Sequence, residues 1–126
     1  MSATPGDYDI RLDERYGPLE LIDIAAEAAE HEPWFNQTLT RVNDAVVRLG
    51  VLEGDFHWHK HDDQDEFFLV LEGRLVIDVD GQDSVTLEPR QGYTIPRGVV
   101  HRTRAPAGRT AILMVEAAGV VPTGDE

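Results

Sequence analysis

Short runs of apolar and β-branched residues alternate with turn-forming residues along most of the chain. Turn signals include Asp80-Gly81, Pro96 to Gly98 and Pro106 to Gly108. Short strands separated by turns every eight to twelve residues or so predict a β-sandwich or a small β-barrel. The predicted strands cover residues 35–41, 45–52, 56–61, 66–71, 75–79, 84–87, 93–95, 101–104 and 110–116.

The N-terminal region has a different pattern. Residues 1–18 are rich in Gly, Pro and Asp, which predicts an irregular arm or a single edge strand. Residues 21–30 contain four alanines and are followed by Pro33, which predicts one short helix. The expected organisation is an arm and helix over residues 1–34, a β-barrel over residues 35–118 and a tail over residues 119–126.

Composition excludes several classes of enzyme. Among the 126 residues there is no cysteine, the only lysine is Lys60, and the only serines are Ser2 and Ser84. Thiol nucleophiles and thiolate metal sites are therefore absent, and neither a phosphate-binding G-K-[ST] loop nor a G-x-S-x-G nucleophile turn can be built. Carboxylates, arginines and histidines remain as the groups that carry chemistry.

Charge and hydropathy indicate which binding partners and which cellular compartment to expect. The 24 acidic and 11 basic residues give a net charge of −13, which disfavours nucleic acid and anionic membrane surfaces as partners. The longest apolar runs are strand-sized, far below the ~20 residues of a membrane helix, and the first fifteen residues do not resemble a signal peptide. We therefore expect a cytoplasmic protein.

Three of the five histidines are spaced two residues apart in the run F-H-W-H-K-H, at His57, His59 and His61. Because side chains alternate across a strand, all three are expected on one face. If the acidic residues 62–65 reverse the chain, Glu66 lies on the next strand beside His59 and His61, and His101 can supply a further nitrogen. Such a mixture of imidazole and carboxylate suits Fe, Mn, Ni, Cu or Zn better than Ca or Mg.

Two motifs containing these residues resemble those of the cupin superfamily. The first is matched by Gly54, His59, His61, Glu66 and Gly73, with one residue fewer than usual before the first histidine. The second, a glycine followed by P-x-G-x-x-H, is matched by residues 92–101, with a shorter spacing than usual after Gly92. The resemblance covers residues 45–118 and is closest to small single-domain cupins of the mannose-6-phosphate-isomerase-like type.

The resemblance implies an all-β fold, the double-stranded β-helix or jelly-roll barrel, with the N-terminal arm and the short helix outside it. It also implies that His59, His61, Glu66 and His101 bind one divalent transition metal ion, which is Fe, Mn, Ni, Zn or Cu. It does not imply a reaction, because the superfamily includes dioxygenases, isomerases, lyases and binding proteins.

Three further residues are candidates for binding a substrate. His57 is either a further ligand, a hydrogen-bonding neighbour of the ligands or a substrate contact, unless the bend at Gly54 turns it outward. Phe68 shares the predicted face of Glu66 and would form an apolar pocket wall, while Tyr93 is a candidate substrate contact or base. Arg97, Arg102 and Arg104 flank His101, so that one of them either binds an anionic substrate group or, with the others, balances acidic surface residues.

Three functions remain open on this basis. The preferred one is a metal-dependent enzyme acting on a small organic molecule, such as a dioxygenase, in which the metal activates O₂ or substrate oxygens. The alternatives are a non-redox sugar isomerase or epimerase and a non-catalytic module that binds a metal or a ligand. The apolar residues on the second face of strand 66–71 need cover, which predicts a homodimer if no second sheet covers them.

Overall fold

The computed structural model of the protein describes residues 8–125, and these residues form an all-β fold with one short helix, as the sequence predicts. The elements, in chain order, are β1 Asp9–Arg11, α1 Ile24–Ala29, β2 Phe35–Val42, β3 Ala45–Asp55, β4 Glu66–Glu72, β5 Leu75–Val79, β6 Val85–Leu87, β7 Gly92–Ile95 and β8 His101–Ala117. The N-terminal arm contributes β1, which pairs in parallel with β2 at the edge of the sheet.

Strand β8 organises the sheet because it pairs with three other strands. Its second half lies between β3 and β4, and the hydrogen-bonded path runs β1-β2-β3-β8-β4-β7 without closing on itself within residues 8–125. Its first residues pair instead with β5, which forms a hairpin with β6. A strand shared in this way folds the sheet over on itself, and the result is the jelly-roll arrangement.

Three predicted strands differ from the structure in kind rather than only in their bounds. Residues 56–61 do not form a regular strand, although His59 makes an isolated antiparallel bridge to His101. Strands predicted at residues 101–104 and 110–116 are one continuous strand, β8. Pro106 to Gly108 do not end it, because β3 pairs first with Ala105 and then with Thr110, and the residues between form an irregularity that accommodates the proline.

The short helix α1 covers the outer side of the sheet. Its N-cap is Asp23, whose side chain accepts a hydrogen bond from the Ala26 backbone at 3.1 Å. Glu27 is buried beneath the helix, where it accepts hydrogen bonds from the Arg15 guanidinium and the Tyr16 hydroxyl. Between residues 8 and 125 no helix is both long enough and apolar enough to cross a membrane.

Two hydrophobic clusters fill the molecule on either side of the sheet. The inner cluster lies inside the folded-over sheet and includes Phe68, Val70 and Ile112. The outer cluster lies between the sheet and the α1 region, and Leu71 and Leu113 pack against it. Part of the second face of β4 is therefore covered within the chain. The homodimer stays a prediction.

Candidate metal centre

Four side chains from three parts of the fold meet at one end of the barrel. His59 and His61 lie on the irregular segment that follows β3, Glu66 opens β4, and His101 opens β8. One ligand atom from each of these side chains lies within 4.8 Å of the corresponding atoms of the others. The structure thus brings together the four residues that the sequence places in the metal site.

The backbone around His59 explains how these side chains converge. His59 and His101 exchange two backbone hydrogen bonds of 2.9 Å, and the Gly98 amide donates to the His61 carbonyl at 2.7 Å. His59 and His61 are thereby held against the start of β8. Glu66 is in register with Ile95 at the end of β7, from which residues 96–100 lead directly into His101, so the carboxylate is brought to the same end of the barrel.

Distances within the group are short enough for one ion to be shared. Glu66 Oε1 lies 3.2 Å from His61 Nε2 and 3.5 Å from His101 Nε2. The His59 and His101 ring centroids are 4.5 Å apart, and those of His59 and His61 are 5.2 Å apart. The side chains of His61, Glu66 and His101 are at most 5% exposed, so the group is enclosed by protein.

Hydrogen bonds to the backbone orient two of the imidazoles. His59 Nδ1 lies 3.0 Å from the His57 carbonyl, and His101 Nδ1 lies 2.9 Å from the Val99 carbonyl. A carbonyl can only accept, so each Nδ1 carries a hydrogen, and in the neutral imidazole Nε2 is then the atom with the free lone pair. This arrangement is typical of histidines that bind metals through Nε2.

The central atoms of the group have no hydrogen-bond partner among the described residues. They are His61 Nε2, Glu66 Oε1 and His101 Nε2, and all three are buried. Leaving buried polar atoms unpaired costs free energy, typically about 1–3 kcal/mol for each. A divalent cation accepts electron pairs from all of them at once, so the donor set fits a transition metal ion.

Burial and neighbouring side chains set the protonation states of His59 and Glu66. Burial, together with the neighbouring His101, lowers the pKa of His59 to about 4, so His59 is neutral at pH 7. For Glu66, burial favours the protonated form, but the close imidazoles of His101 and His61 outweigh it and hold the pKa below its usual range. At neutral pH the group therefore offers a carboxylate and an unprotonated His59.

A cavity of about 30 Å³ adjoins the group, and His59 and Glu66 line part of it. Phe68 lines it as well, and with Trp34 and Phe56 it makes the wall aromatic. Other residues that line it are Tyr8, Asn36, Leu52, Thr103, Ile112, Met114 and Pro122. The predicted pocket wall at Phe68 is therefore part of this cavity, whereas Tyr93 packs against the inner hydrophobic cluster and does not line it.

His57 lies outside the four-residue group. Its Nε2 is 2.7 Å from the Thr123 carbonyl, so the ring is directed to the C-terminal segment. The reason is the backbone register. The Phe56 amide donates to the Thr103 carbonyl, and His59 pairs with His101, so three residues of this segment lie opposite two residues of β8. Side chains from His57 to His61 therefore do not alternate strictly between the two faces.

The arginines near His101 are engaged by carboxylates. Arg102 and Arg104 donate to Asp78 at 2.8 and 2.6 Å, and Arg97 lies 3.6 Å from Asp65. Their contacts agree with the prediction that they balance acidic residues. A different arginine, Arg48, which the sequence places near the barrel, is only 2% exposed.

Sequence analysis also missed several residues at or beside the site. Tyr8, Asn36 and Pro122 line the cavity, and the buried Glu116 lies beside Glu66. Tyr8 and Pro122 come from segments expected to be an arm and a tail, and no local pattern marks them. For Glu116 a signal exists, because a carboxylate in an apolar strand at a buried position is unusual.

Comparisons with known proteins agree with the fold and the motifs. The family model described as "Cupin domain" matches residues 45–116. The Bacillus subtilis protein YdbB is 44% identical over 96 residues, which cover 76% of this chain and 82% of that protein.

Solved structures give the same result. A cupin-2 domain protein from Shewanella frigidimarina is 33% identical with a TM-score of 0.72, and the match covers 77% of this chain and 94% of that one. BH2720 from Bacillus halodurans has a TM-score of 0.73 at 20% identity, and the match covers 90% and 92% of the two chains. The chain therefore belongs to the cupin-domain family, as the two histidine motifs predict.

Proposed function

We propose that this protein is a metal-dependent enzyme that acts on a small organic molecule. One observation carries the proposal: the buried atoms His61 Nε2, Glu66 Oε1 and His101 Nε2 converge without a hydrogen-bond partner, with His59 beside them. A purely structural polar cluster would pair these atoms with one another or with backbone groups. Atoms left unpaired in this way are what a metal site requires of its ligands.

The donor set supports a transition metal. Three imidazole nitrogens and one carboxylate oxygen would hold Fe, Mn, Ni, Cu or Zn, and the single carboxylate would offset only part of the ion's charge. When bound, such an ion activates dioxygen if it is redox-capable, or polarises oxygen atoms of the substrate. The chain's own residues would fix the ion's position through the backbone bonds of His59 and His101.

The cavity beside the ligands supports a small substrate with an apolar part. Trp34, Phe56 and Phe68 offer aromatic surface, while the Tyr8 hydroxyl and the Asn36 amide offer hydrogen bonds. Asn36 Oδ1 is buried without a hydrogen-bond partner among the described residues and would orient a donor group of the substrate. With about 30 Å³ of free space, the cavity favours a small molecule over a polymer.

Among the described residues, the cavity offers no strong base for an isomerase or epimerase. Its titratable lining residues are Tyr8, His59 and Glu66, of which the last two are proposed ligands. Burial raises the pKa of Tyr8 to about 12, so its phenol keeps its proton at pH 7. Tyr93 packs into the inner cluster. These observations favour chemistry centred on the metal over proton transfer by a side chain.

The first experiment measures metal content in protein purified without a histidine tag. We expect close to one transition metal ion for each chain, and its loss in His61→Ala. His31→Ala is the matched control. With Glu27 and Glu30, His31 forms another described group of side chains that could hold a cation, outside the four-residue group, and we expect this variant to keep its metal content. Equal metal content in wild type and His61→Ala would refute the ligand assignment.

A second experiment separates an enzyme from a non-catalytic metal-binding module. Protein loaded with ferrous iron without oxygen is exposed to nitric oxide, a dioxygen surrogate, and followed by electron paramagnetic resonance. A ferrous–nitrosyl signal, followed by oxygen uptake with small hydroxy or carbonyl compounds, would support the dioxygenase. Full metal loading without either response would favour the non-catalytic module.

A further inference from the structure

We propose that residues 119–125, called the strap below, hold the His59 side chain in place and control the passage of metal ions and small ligands to the metal centre. The strap follows β8 and crosses the segment that carries His57, His59 and His61. This inference rests on the proposed function, because it concerns access to the same metal centre.

Hydrogen bonds join the strap to the ligand-bearing segment at both ends of that segment. The Thr123 carbonyl lies 2.7 Å from His57 Nε2. The Asp125 amide donates to the Lys60 carbonyl at 2.8 Å, and the Asp125 carboxylate accepts from the Asp62 amide at 2.7 Å. The strap is therefore docked on the very residues that position two of the four proposed ligands.

Gly124 makes the closest approach to a ligand. A Cβ atom at this position would lie 2.5 Å from His59 Cβ and 3.0 Å from the ring atom Cγ, so any side chain there would collide with His59. The backbone φ of Gly124 is +95°, which glycine adopts without strain. Pro122, two residues earlier, lines the cavity together with His59. Glycine at 124 thus lets the strap rest against the imidazole.

Burial of the ligands makes access a physical problem. His101 is fully buried, and His61 and Glu66 are 3–4% exposed. An ion with its water shell cannot reach atoms this deep unless some segment moves. The strap is the natural candidate, because apart from Val120 its described residues are only partly buried or exposed, and it lies outside the β-ladders that hold the barrel.

A second cavity, separate from the one lined by Phe68, lies between the strap and the ligand-bearing segment. This cavity of about 220 Å³ has Gly119, Val120 and Asp125 on the strap side. His61, Asp63 and Gln64 line the other side. The carboxylates of Asp63 and Asp125 line this cavity together with the proposed ligand His61, and their negative charge would attract a cation. Opening the strap would widen this cavity.

The test measures how fast the metal leaves. Wild-type protein is loaded with Co²⁺ alone and mixed with an excess of chelator, and the visible absorption of the bound ion is followed over time. Gly124→Ala should release Co²⁺ at least about tenfold faster, because the added methyl group pushes the strap away from His59. The Co²⁺ spectrum before mixing should also change, since it reports the geometry of the ligands.

Two matched variants separate this effect from general damage. Gly119→Ala lies in the strap but would meet nothing within 4 Å and has no positive φ, so release within about twofold of wild type is expected. Gly81→Ala introduces the same kind of backbone strain, with φ of +82°, in a distant turn with open space. It should lower the melting temperature without changing release.

Each remaining outcome bears on the proposal. If Gly124→Ala does not fold, a chain ending at Val121 replaces it and should also release Co²⁺ faster. If Gly124→Ala or the shortened chain releases Co²⁺ at the wild-type rate, the proposed role of the strap is refuted, while the proposed metal centre still stands. If the wild type itself binds no stoichiometric Co²⁺, the metal centre is wrong and the strap proposal falls with it.

Discussion

Glu66 at the start of β4 and Glu116 near the end of β8 are register partners, and each residue is at most 4% exposed. Two ionised carboxylates cannot share such a position cheaply, so they take different protonation states. Burial and the charge of Glu66 raise the pKa of Glu116 to about 9, although Arg48, with Nη1 3.8 Å away, opposes the shift. Glu66 is therefore the carboxylate and Glu116 the neutral acid at pH 7.

Replacing Glu116 by Gln should cost little. Glutamine has nearly the same shape as a protonated glutamate, so we expect a change of at most about 1 kcal/mol in the free energy of unfolding, and unchanged metal content. Chemical denaturation and metal analysis measure these quantities. Glu66→Gln, the control at the partner position, should lose the metal. A loss of about 3 kcal/mol or more in Glu116→Gln would mean that Glu116 is the ionised partner of Arg48.

Metal removal should destabilise the protein, because an ion that binds only the folded state adds to its stability. At a free metal concentration 100 times the Kd, the gain is about 2.7 kcal/mol. We expect the wild-type melting temperature to fall on chelation and to recover when metal is restored. Glu66→Gln should show neither change. An equal response in the two proteins would place the stabilising ion outside the four-residue group.

Asp78 should make stability depend on pH in the acid range. Arg104 donates two hydrogen bonds of 2.6 and 3.0 Å to the Asp78 carboxylate, and Arg102 donates another of 2.8 Å. These bonds, those of Arg104 foremost, hold the pKa of Asp78 below its ordinary value of 3.8. Because the unfolded chain takes up the proton first, the stabilisation is fully present above about pH 5 and is lost as the pH falls below 4.

Unfolding measured between pH 3 and pH 7 tests this expectation. Asp78→Asn should be about 2 kcal/mol less stable than the wild type at pH 7, and the difference should shrink towards pH 3. Asp83→Asn is the control, because it removes one charge from an exposed position of the neighbouring loop. A difference between wild type and Asp78→Asn that stays constant with pH would contradict an ionised Asp78.

The sequence predicted much of the fold because Gly, Pro and Asp form turns through local backbone preferences, and these turns mark the ends of the strands. Strand β5 has the predicted bounds, and β2, β3, β4, β6 and β7 differ by three residues or fewer at either end. The four proposed ligands also followed from spacing, since the two motifs order them along the chain. What the spacing did not give is the irregular path of residues 56–61, which depends on pairing with residues 98–103, about forty positions away.

Tyr8 and Gly124 could not be predicted as neighbours of His59, because their contacts with it are distant in sequence. Tyr8 lines a cavity together with His59, and Gly124 packs on that histidine. These contacts join positions about fifty or more residues apart, and neither segment has a periodic pattern that marks it as part of a site. From local sequence, residues 1–18 are an irregular arm and residues 119–126 are a tail. Only the fold shows that Tyr8 and Gly124, which belong to these segments, lie beside the candidate metal centre.

A final experiment separates the motif glycine Gly73 from Gly81, an ordinary turn glycine. Gly73 has a φ of +89°, and a Cβ there would lie 2.4 Å from Thr110 Oγ1 and 2.9 Å from the Arg109 carbonyl oxygen. Gly81 has a similar φ, but a Cβ there would meet nothing within 4 Å. Both positions favour glycine for backbone reasons, and only the first also forbids a side chain for lack of space.

We therefore expect Gly81→Ala to lose about 1 kcal/mol of unfolding free energy, which is the cost of the left-handed backbone alone. Gly73→Ala should lose about 3 kcal/mol or more, because the strand carrying Thr110 must also shift. Since that strand is β8, which begins with His101, the shift should weaken metal binding as well. Equal losses in the two variants, measured by denaturation, would show that backbone strain rather than close packing makes Gly73 necessary.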